Sequence, residues 1–256
     1  MSVAIEVTPL GQAGFRLICG DRTVYIDPYL SDRVEQVEGA ALRRLVPIWK
    51  SPAQVSDADW VLVTHNHMDH CDPNTLLPLS IASPSAQFVG PPDVLRTLAA
   101  AGIAMERLHV TEDAWIPLGK DLRVHPVPAS HPSVDVDELG RWRCVGYVLE
   151  SSGKRIYHSG DTSLNETLFR KLEALKPINV AILAVNEHNY YRERQGIVGN
   201  MTVREALQFA TDLGVEILVP MHWDMFAPNC VYPEEIELLY RLIHPPFQLV
   251  LSPSEF

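Results

Sequence analysis

Apolar positions along the chain follow two different periods. In the first third they come in short runs. Val3–Val7, Gly14–Cys19 and Thr23–Ile26 are alternating or wholly apolar, and Gly and Asp turn signals separate them, which predicts three strands. Residues 29–56 keep no sustained period and are expected to be irregular or partly helical. Asp59–Thr64 reads as a buried strand. Asp72-Pro73 then reads as a helix start, with Asp as the cap and Pro at the first helical position. Strands are expected at Gln87–Gly90, Arg107–Val110, Leu122–Val127, Cys144–Leu149 and Lys154–His158, with a helix over Pro91–Ala101. In the last third, helices at Asn165–Leu175, Thr202–Leu213 and Pro233–Ile243 alternate with strands at Asn179–Val185 and Glu216–Pro220. Thr202-x-x-Glu205 is a capping-box signature. Strands mixed with helices throughout predict an α/β fold whose sheets are covered by helices.

Composition narrows this picture without changing it. Of 256 residues, 46% are hydrophobic and 21% charged, an ordinary balance for a soluble chain. No Gly/Ser run, block of like charge or internal repeat divides the sequence, so residues 1–256 read as a single domain. A formal charge of −11 disfavours nucleic acid and an anionic membrane as partners. Met1-Ser2-Val3-Ala4-Ile5-Glu6 has no basic stretch leading into an apolar one, and no apolar run approaches the length of a spanning helix. Cys19, Cys71, Cys144 and Cys230 are far apart and form no C-x-x-C pair, which fits reduced thiols and a cytoplasmic location.

The chemistry concentrates in Thr64-His65-Asn66-His67-Met68-Asp69-His70. Three imidazoles and a carboxylate fall within six residues, on a loop between an expected strand and an expected helix. Neutral imidazole nitrogen with carboxylate oxygen is the ligand set of zinc, iron or manganese. One ion needs about four ligands, so further donors must come from elsewhere. His131, Asp161 and His222 each follow an expected strand beside Gly, Pro or Ser. At each of these three positions a turn former or a satisfied polar group is the other reading, and the residues alone leave the choice open.

This order of motifs, H-x-H-x-D-H, a later His, Ser159-Gly160-Asp161 and a last His after an apolar strand, resembles the metallo-β-lactamase superfamily. Asp27, ending Val24-Tyr25-Ile26-Asp27, matches that family's first motif. Tyr157-His158-Ser159-Gly160-Asp161, Met201-Thr202 and Pro220-Met221-His222-Trp223-Asp224 resemble the L-ascorbate-6-phosphate lactonase group most. The histidine string also resembles the N-acyl-phosphatidylethanolamine phospholipase D group. The resemblance implies a four-layer αβ/βα sandwich with two divalent metal ions, Zn2+ or Mn2+, with Fe2+ also suited. It implies that His65, His67 and His131 hold one ion, that Asp69, His70 and His222 hold the other, and that Asp161 bridges them. Asp27 would orient a ligand from behind. A metal-bound hydroxide would then open a small phosphorylated or acidic lactone or ester, with Asp69 and Asp161 as the catalytic carboxylates.

The remaining expectations concern the surroundings of the site. His158 and Asp224 are expected behind the ligands, as partners of ligand side chains. Asn186, His188, Arg192, Arg194 and Trp223 are expected to meet an anionic small-molecule substrate, the two arginines gripping its phosphate or carboxylate. For the loop carrying the arginines, a solvated surface segment is the competing reading. A phosphodiesterase on the same dinuclear site, with a cyclic or phospholipid-like substrate, is the first alternative. A metal-binding regulatory module without turnover is the alternative from another class. A homo-oligomer is left open.

Overall fold

The computed structural model describes residues 5–256, and two sheets dominate it. The first contains β1 (Glu6–Gly11), β2 (Gly14–Cys19), β3 (Arg22–Ile26), β4 (Trp60–Leu62), β5 (Gln87–Gly90) and β6 (Leu108–Val110), in that spatial order. The second contains β7 (Ile116–Pro117), β8 (Leu122–Pro128), β9 (Val145–Ser151), β10 (Lys154–His158), β11 (Val180–Ala184), β12 (Ile217–Met221) and β13 (Gln248–Leu249), again neighbour to neighbour in sequence order. Each sheet begins as an antiparallel meander, β1 to β3 and β7 to β10. Each then turns parallel, β3 to β6 and β10 to β13. The switch follows from the connections, because parallel neighbours need a crossover long enough to return the chain to the same edge. In the first sheet, helices α2 (Pro73–Ala82) and α3 (Pro92–Ala100) make the β4–β5 and β5–β6 crossovers. In the second they are α4 (Glu166–Ala174), α6 (Val203–Leu213) and α7 (Pro233–Ile243). Two short helices, α1 (Arg33–Glu38) and α5 (Tyr190–Glu193), lie in the long loops after β3 and β11.

The layers follow from which faces are apolar. Leu17, Val24, Ile26, Leu62 and Val89 from the first sheet meet Val124, Tyr147, Leu149, Ile182 and Val219 from the second in one buried cluster. On the outer side of the first sheet, Tyr25, Val61 and Phe88 pack under Leu76, Leu79, Val94 and Leu98 of α2 and α3. On the outer side of the second, Ala181, Leu183 and Leu218 pack under Leu168, Leu172, Leu207 and Ala210 of α4 and α6. The order is therefore helix, sheet, sheet, helix, the αβ/βα sandwich expected. Strand β11, Val-Ala-Ile-Leu-Ala, is buried at every position because helices cover one face and the other sheet covers its opposite. Each such buried Leu or Val contributes roughly 1.5–3 kcal/mol relative to exposure. The helices start where the sequence caps them. Asp72 accepts from the Asn74 amide, Asn165 accepts from the Leu168 amide, and Thr202 and Glu205 close the capping box.

Several local expectations need correction. The first strand runs over Glu6–Gly11 rather than Val3–Val7; of the latter, Val3 and Ala4 lie outside the described residues. The strand extends because residues 6–11 pair with β2, a register that local alternation does not reveal. The short edge strands β7 and β13 and the single-turn helix α5 carry too few residues to show a period. No helix among the described residues is long and apolar enough to cross a membrane.

One surface cluster ties β2 and β3 to the loop before β4. Arg16 Nε donates to Asp57 Oδ2 at 2.9 Å, and the Tyr25 hydroxyl donates to Asp57 Oδ1 at 2.8 Å. Burial pushes the Asp57 carboxyl up, but the bonds from Arg16 and Tyr25 outweigh it and hold it below its ordinary 3.8. A depressed carboxylate contributes stability above its unfolded pKa and loses it as pH falls through the folded value. Asp57→Asn is therefore expected to cost less than about 1 kcal/mol at pH 7, since the group is over a third exposed. The cost shrinks below the carboxylate range. Urea midpoints of both proteins at pH 7 and pH 3 check this, and a difference unchanged at pH 3 contradicts it.

Candidate metal centre

The loops at one end of the two sheets converge on a small volume. Asp27 follows β3, the His65–His70 string follows β4, His131 follows β8, Asp161 follows β10 and His222 follows β12. Carboxyl ends of parallel strands are a common place for ligand sites, because the loops there leave a rigid scaffold in divergent directions. Here loops from two facing sheets meet. Their backbones are sewn together at this edge. Val145 N donates to Thr64 O at 3.0 Å, and His222 N donates to Gln12 O at 2.9 Å. The buried Tyr147 hydroxyl crosses from β9 to Val63 O at 2.8 Å.

Ligand-type atoms of His65, His67 and His131 lie within 4.8 Å of one another, and so do those of Asp69, His70 and His222. A third trio, His65, His70 and Asp161, meets the same limit and joins the first two. Asp161 Oδ2 stands 3.1 Å from His222 Nε2 and 3.6 Å from His131 Nε2, while Asp161 Oδ1 is 3.3 Å from His70 Nε2. Asp69 Oδ2 is 3.4 Å from His222 Nε2 and 3.6 Å from His70 Nε2. His67 Nδ1 lies 3.2 Å from His131 Nε2. All seven residues read from the sequence as ligands are thus in one cluster.

Behind the cluster, Asp27 fixes three partners. Its Oδ1 accepts from the Thr64 amide at 2.8 Å, and its Oδ2 accepts from the Thr64 hydroxyl at 2.6 Å and lies 2.7 Å from His70 Nδ1. With Nδ1 occupied, the His70 Nε2 is the nitrogen turned to the cluster. Thr64 Oγ1 does the same for His65, 3.0 Å from its Nδ1. Asp27 and His222 both sit at positive φ, 42° and 62°, a conformation that non-glycine residues adopt only when their surroundings impose it. Gly160 also has positive φ, 57°, and a Cβ there would stand 2.7 Å from Val145 O and 2.9 Å from Thr64 Cβ, so Asp161 is presented by a turn only glycine fits.

The donors fit a divalent cation. His65 Nε2, His70 Nε2 and Asp161 Oδ1 are buried and have no hydrogen-bond partner in the protein. Buried polar atoms are ordinarily paired, and unpaired imidazole and carboxylate atoms facing each other are what a metal ion satisfies. The electrostatics agree. Burial opposes charge on His70 and His222, but Asp161, Asp69 and, for His70, Asp27 overcome it and raise them to about 9 and about 10. Burial and the neighbouring imidazoles instead push His65 far down, and burial lowers His131 to about 4. The carboxylates Asp69 and Asp161 are both held low by His70 and His222 against their burial. The cluster therefore concentrates carboxylate charge that attracts cations, and a bound ion would compete with the protons on His70 and His222.

Not every residue expected near the cluster serves it. His158 makes its bonds to backbone, 2.9 Å from Ala13 O and accepting at Nδ1 from Gly160 N, so it shapes the turn before Asp161. Asp224 Oδ1 accepts from Gln12 N at 3.2 Å. Gln12, unremarked in the sequence, donates through Nε2 to Asp69 Oδ2 at 2.6 Å and lies 3.0 Å from His222 Nε2. Arg192 stands apart from the cluster: its terminal nitrogens donate to Glu187 O and Cys230 O, and it is not among the residues that line the cavity. Arg194 and His188 are exposed and also outside the cavity wall. Trp223 packs its ring against the outer core of the second sheet, and its nitrogen donates to Pro220 O. Asn186 is fully buried, accepting from Asn200 and donating to Asn229 Oδ1 at 3.0 Å; Asn229 is the one of the three that reaches the cavity.

A cavity of about 330 Å³ opens onto the cluster, with His67, Asp69, His131, Asp161 and His222 in its wall. The rest of the wall comes from α1 and the turn after it, from Asn66 and Met68, from residues 196–198, and from Phe226 and Asn229. Sequence motifs pointed to none of these wall segments except the string itself. Asp27→Asn is expected to leave the fold intact and to weaken cation binding by about 10–100-fold, since the carboxylate orients the ligand His70. Competition with a chromogenic chelator measures this; wild-type affinity in the variant would contradict the role.

The family described as "Beta-lactamase superfamily domain" matches residues 22–223. Among curated proteins, one called "Probable L-ascorbate-6-phosphate lactonase UlaG", from Salmonella heidelberg, is 26% identical over 212 residues, 78% of this chain. The match spans 58% of that relative's length. Among solved structures, Igni18, a metallo hydrolase from the archaeon Ignicoccus hospitalis, superposes with a TM-score of 0.73 at 20% identity over 99% of both chains. An isothiocyanate hydrolase from Delia radicum gut bacteria superposes with a TM-score of 0.72 at 17% identity, over 99% of this chain and 98% of the other. Both structural likenesses are likenesses of fold.

Proposed function

The chain belongs to the beta-lactamase superfamily, and on that premise we propose that it is a dinuclear metal-dependent hydrolase that opens the acyl–oxygen bond of a small lactone or ester. One observation carries the reading: five imidazoles and two carboxylates converge at the foot of a cavity, with the inward atoms of His65, His70 and Asp161 buried and unpaired. His65, His67 and His131 would hold one ion and Asp69, His70 and His222 the other, with Asp161 shared. Bound there, divalent ions would supply Lewis acidity and lower the pKa of water to near neutrality, enough for attack at physiological pH.

The chain's own residues would do the rest. Asp27 and Thr64 hold the His70 and His65 rings from behind, so the donor geometry exists before substrate arrives. Gln12, fixed through its amide by Asp224, steadies Asp69 and His222. Asp69 is the partly exposed carboxylate of the cluster and reaches the cavity. It would take the proton released when water adds to the carbonyl and return it to the leaving oxygen, giving the acid and the alcohol. No serine or cysteine nucleophile is required. The curated relatives are named for a phosphorylated lactone, and this chain spans 58% of their length. We carry over the bond opened and not the phosphate, because no lysine or arginine lines the cavity among the described residues.

The test is a screen of sugar lactones, their phosphates, p-nitrophenyl esters and bis-p-nitrophenyl phosphate, each before and after chelation. Chelator-sensitive opening of lactones or esters supports the reading. Chelator-sensitive cleavage of the phosphodiester alone replaces it with the phosphodiesterase reading. An Asp69→Asn protein that keeps its metal and its full rate removes Asp69 from proton transfer.

A further inference from the structure

The cavity wall has a character of its own. Val34, Leu42, Met68, Ile197, Val198 and Phe226 face it from four separate stretches of chain. Apart from the metal-centre cluster, Glu38 supplies the only charged side chain of the wall among the described residues. The polar remainder is two asparagines. Asn66 Oδ1 accepts from the Thr97 hydroxyl at 2.7 Å, and Asn229 Oδ1 accepts from Asn186 at 3.0 Å. Each amide oxygen thus already accepts one bond, and the NH2 groups remain to donate. An anionic group held away from the cluster would thus meet one carboxylate, neutral amides and hydrocarbon, within a chain of net charge −11. Phosphate and carboxylate groups are ordinarily gripped by Arg or Lys, and a charge placed against apolar surface without a partner is strongly penalised.

We propose that the substrate is an uncharged ester or lactone carrying an alkyl or similarly apolar group, which packs against Val34, Leu42, Ile197 and Phe226 while its scissile carbonyl faces the cluster. This rests on the hydrolase reading above and specifies the substrate class for that site. Leu42 and Ile197, like Met68 and Val198, are half-exposed wall residues, and the two come from separate segments of the chain, so they set the charge and length preference at its mouth.

The metal-loaded, full-length protein is assayed on p-nitrophenyl butanoate, hexanoate and octanoate, and on p-nitrophenyl hydrogen adipate, which matches hexanoate in length but ends in a carboxylate. The expected result is a kcat/KM that rises about threefold or more per methylene until the cavity is filled. Hexanoate is expected to exceed the adipate ester by at least about tenfold. Leu42→Arg and, separately, Ile197→Arg are each expected to shrink that ratio by about tenfold; their half-exposed positions accept an arginine stem without unfolding the core. Calorimetry with pentan-2-one, heptan-2-one and nonan-2-one gives a readout independent of turnover, with affinity rising along the series. Preference for the adipate ester, or ketone binding indifferent to chain length, overturns the proposal and leaves hydrolysis itself standing. If none of these esters, nor any lactone, is hydrolysed by protein that carries its metal, the hydrolase reading fails instead. The ketone series then decides the apolar site alone.

Discussion

Asp161→Ala is expected to yield a folded protein whose hydrolysis has fallen by at least about a thousandfold, because on the proposed reading a centre that stabilises developing charge would lose the ligand its two ions would share. Asp161 is the carboxylate within 3.6 Å of His70, His131 and His222 together, and so touches members of both ligand trios. Its removal separates the two sets of donors. The side chain is small and buried, and its loss opens little space, but it also takes away the negative charge that sustains protons on His70 and His222. Asp161→Asn keeps the volume and separates charge from shape. It is expected to lose most of the activity while unfolding within a few degrees of the wild type. Steady-state kinetics with circular dichroism on both variants make the measurement. Near-wild-type turnover in Asp161→Ala would remove Asp161 from the reaction.

Metal removal should have the second large effect, on two properties at once. Seven ligand-type residues are packed at the join of the two sheets, where hydrogen bonds to the carbonyls of Thr64, Gln12 and Ala13 link the halves. A cation that binds this folded arrangement and not the unfolded chain stabilises it by about 4 kcal/mol at a thousand times its dissociation constant. For a chain of this length that corresponds to roughly 8 °C or more in Tm. Dialysis against a strong chelator is therefore expected to lower Tm by that amount and to abolish hydrolysis, and added Zn2+ or Mn2+ to restore both. A chelated protein that keeps its Tm and its rate would mean that neither property depends on a bound ion.

Much of this was legible in the sequence because it was local. Gly14–Cys19, Gln87–Gly90 and Lys154–His158 were bounded by turn residues, and the observed strands coincide with them. The helix after Asp72 and the helix after Thr202 start where their caps predict. The histidine string announced a site by density alone, and Asp27, His131, Asp161 and His222 came with the resemblance; the structure groups all of them. What stayed hidden depended on distance along the chain. Gln12 acts on His222 across 210 residues, from a hairpin turn without any motif. Arg192 looked free for substrate because its acceptors are backbone carbonyls, at Glu187 and Cys230, which a sequence does not display. The cavity wall drew on residues 34–42, a stretch whose periodicity is too weak to read. The expectation of an anionic substrate came with the resemblance, whereas the proposal of an uncharged one rests on a wall whose one charge outside the cluster, among the described residues, is Glu38, a pairing of segments that the sequence does not display.

Elemental analysis of the purified full-length protein for zinc, manganese and iron tests the central claim most directly. The account predicts about two ions per chain, falling to about one or fewer in Asp161→Ala. A protein with no bound metal, which takes up none when Zn2+ or Mn2+ is supplied, would contradict it.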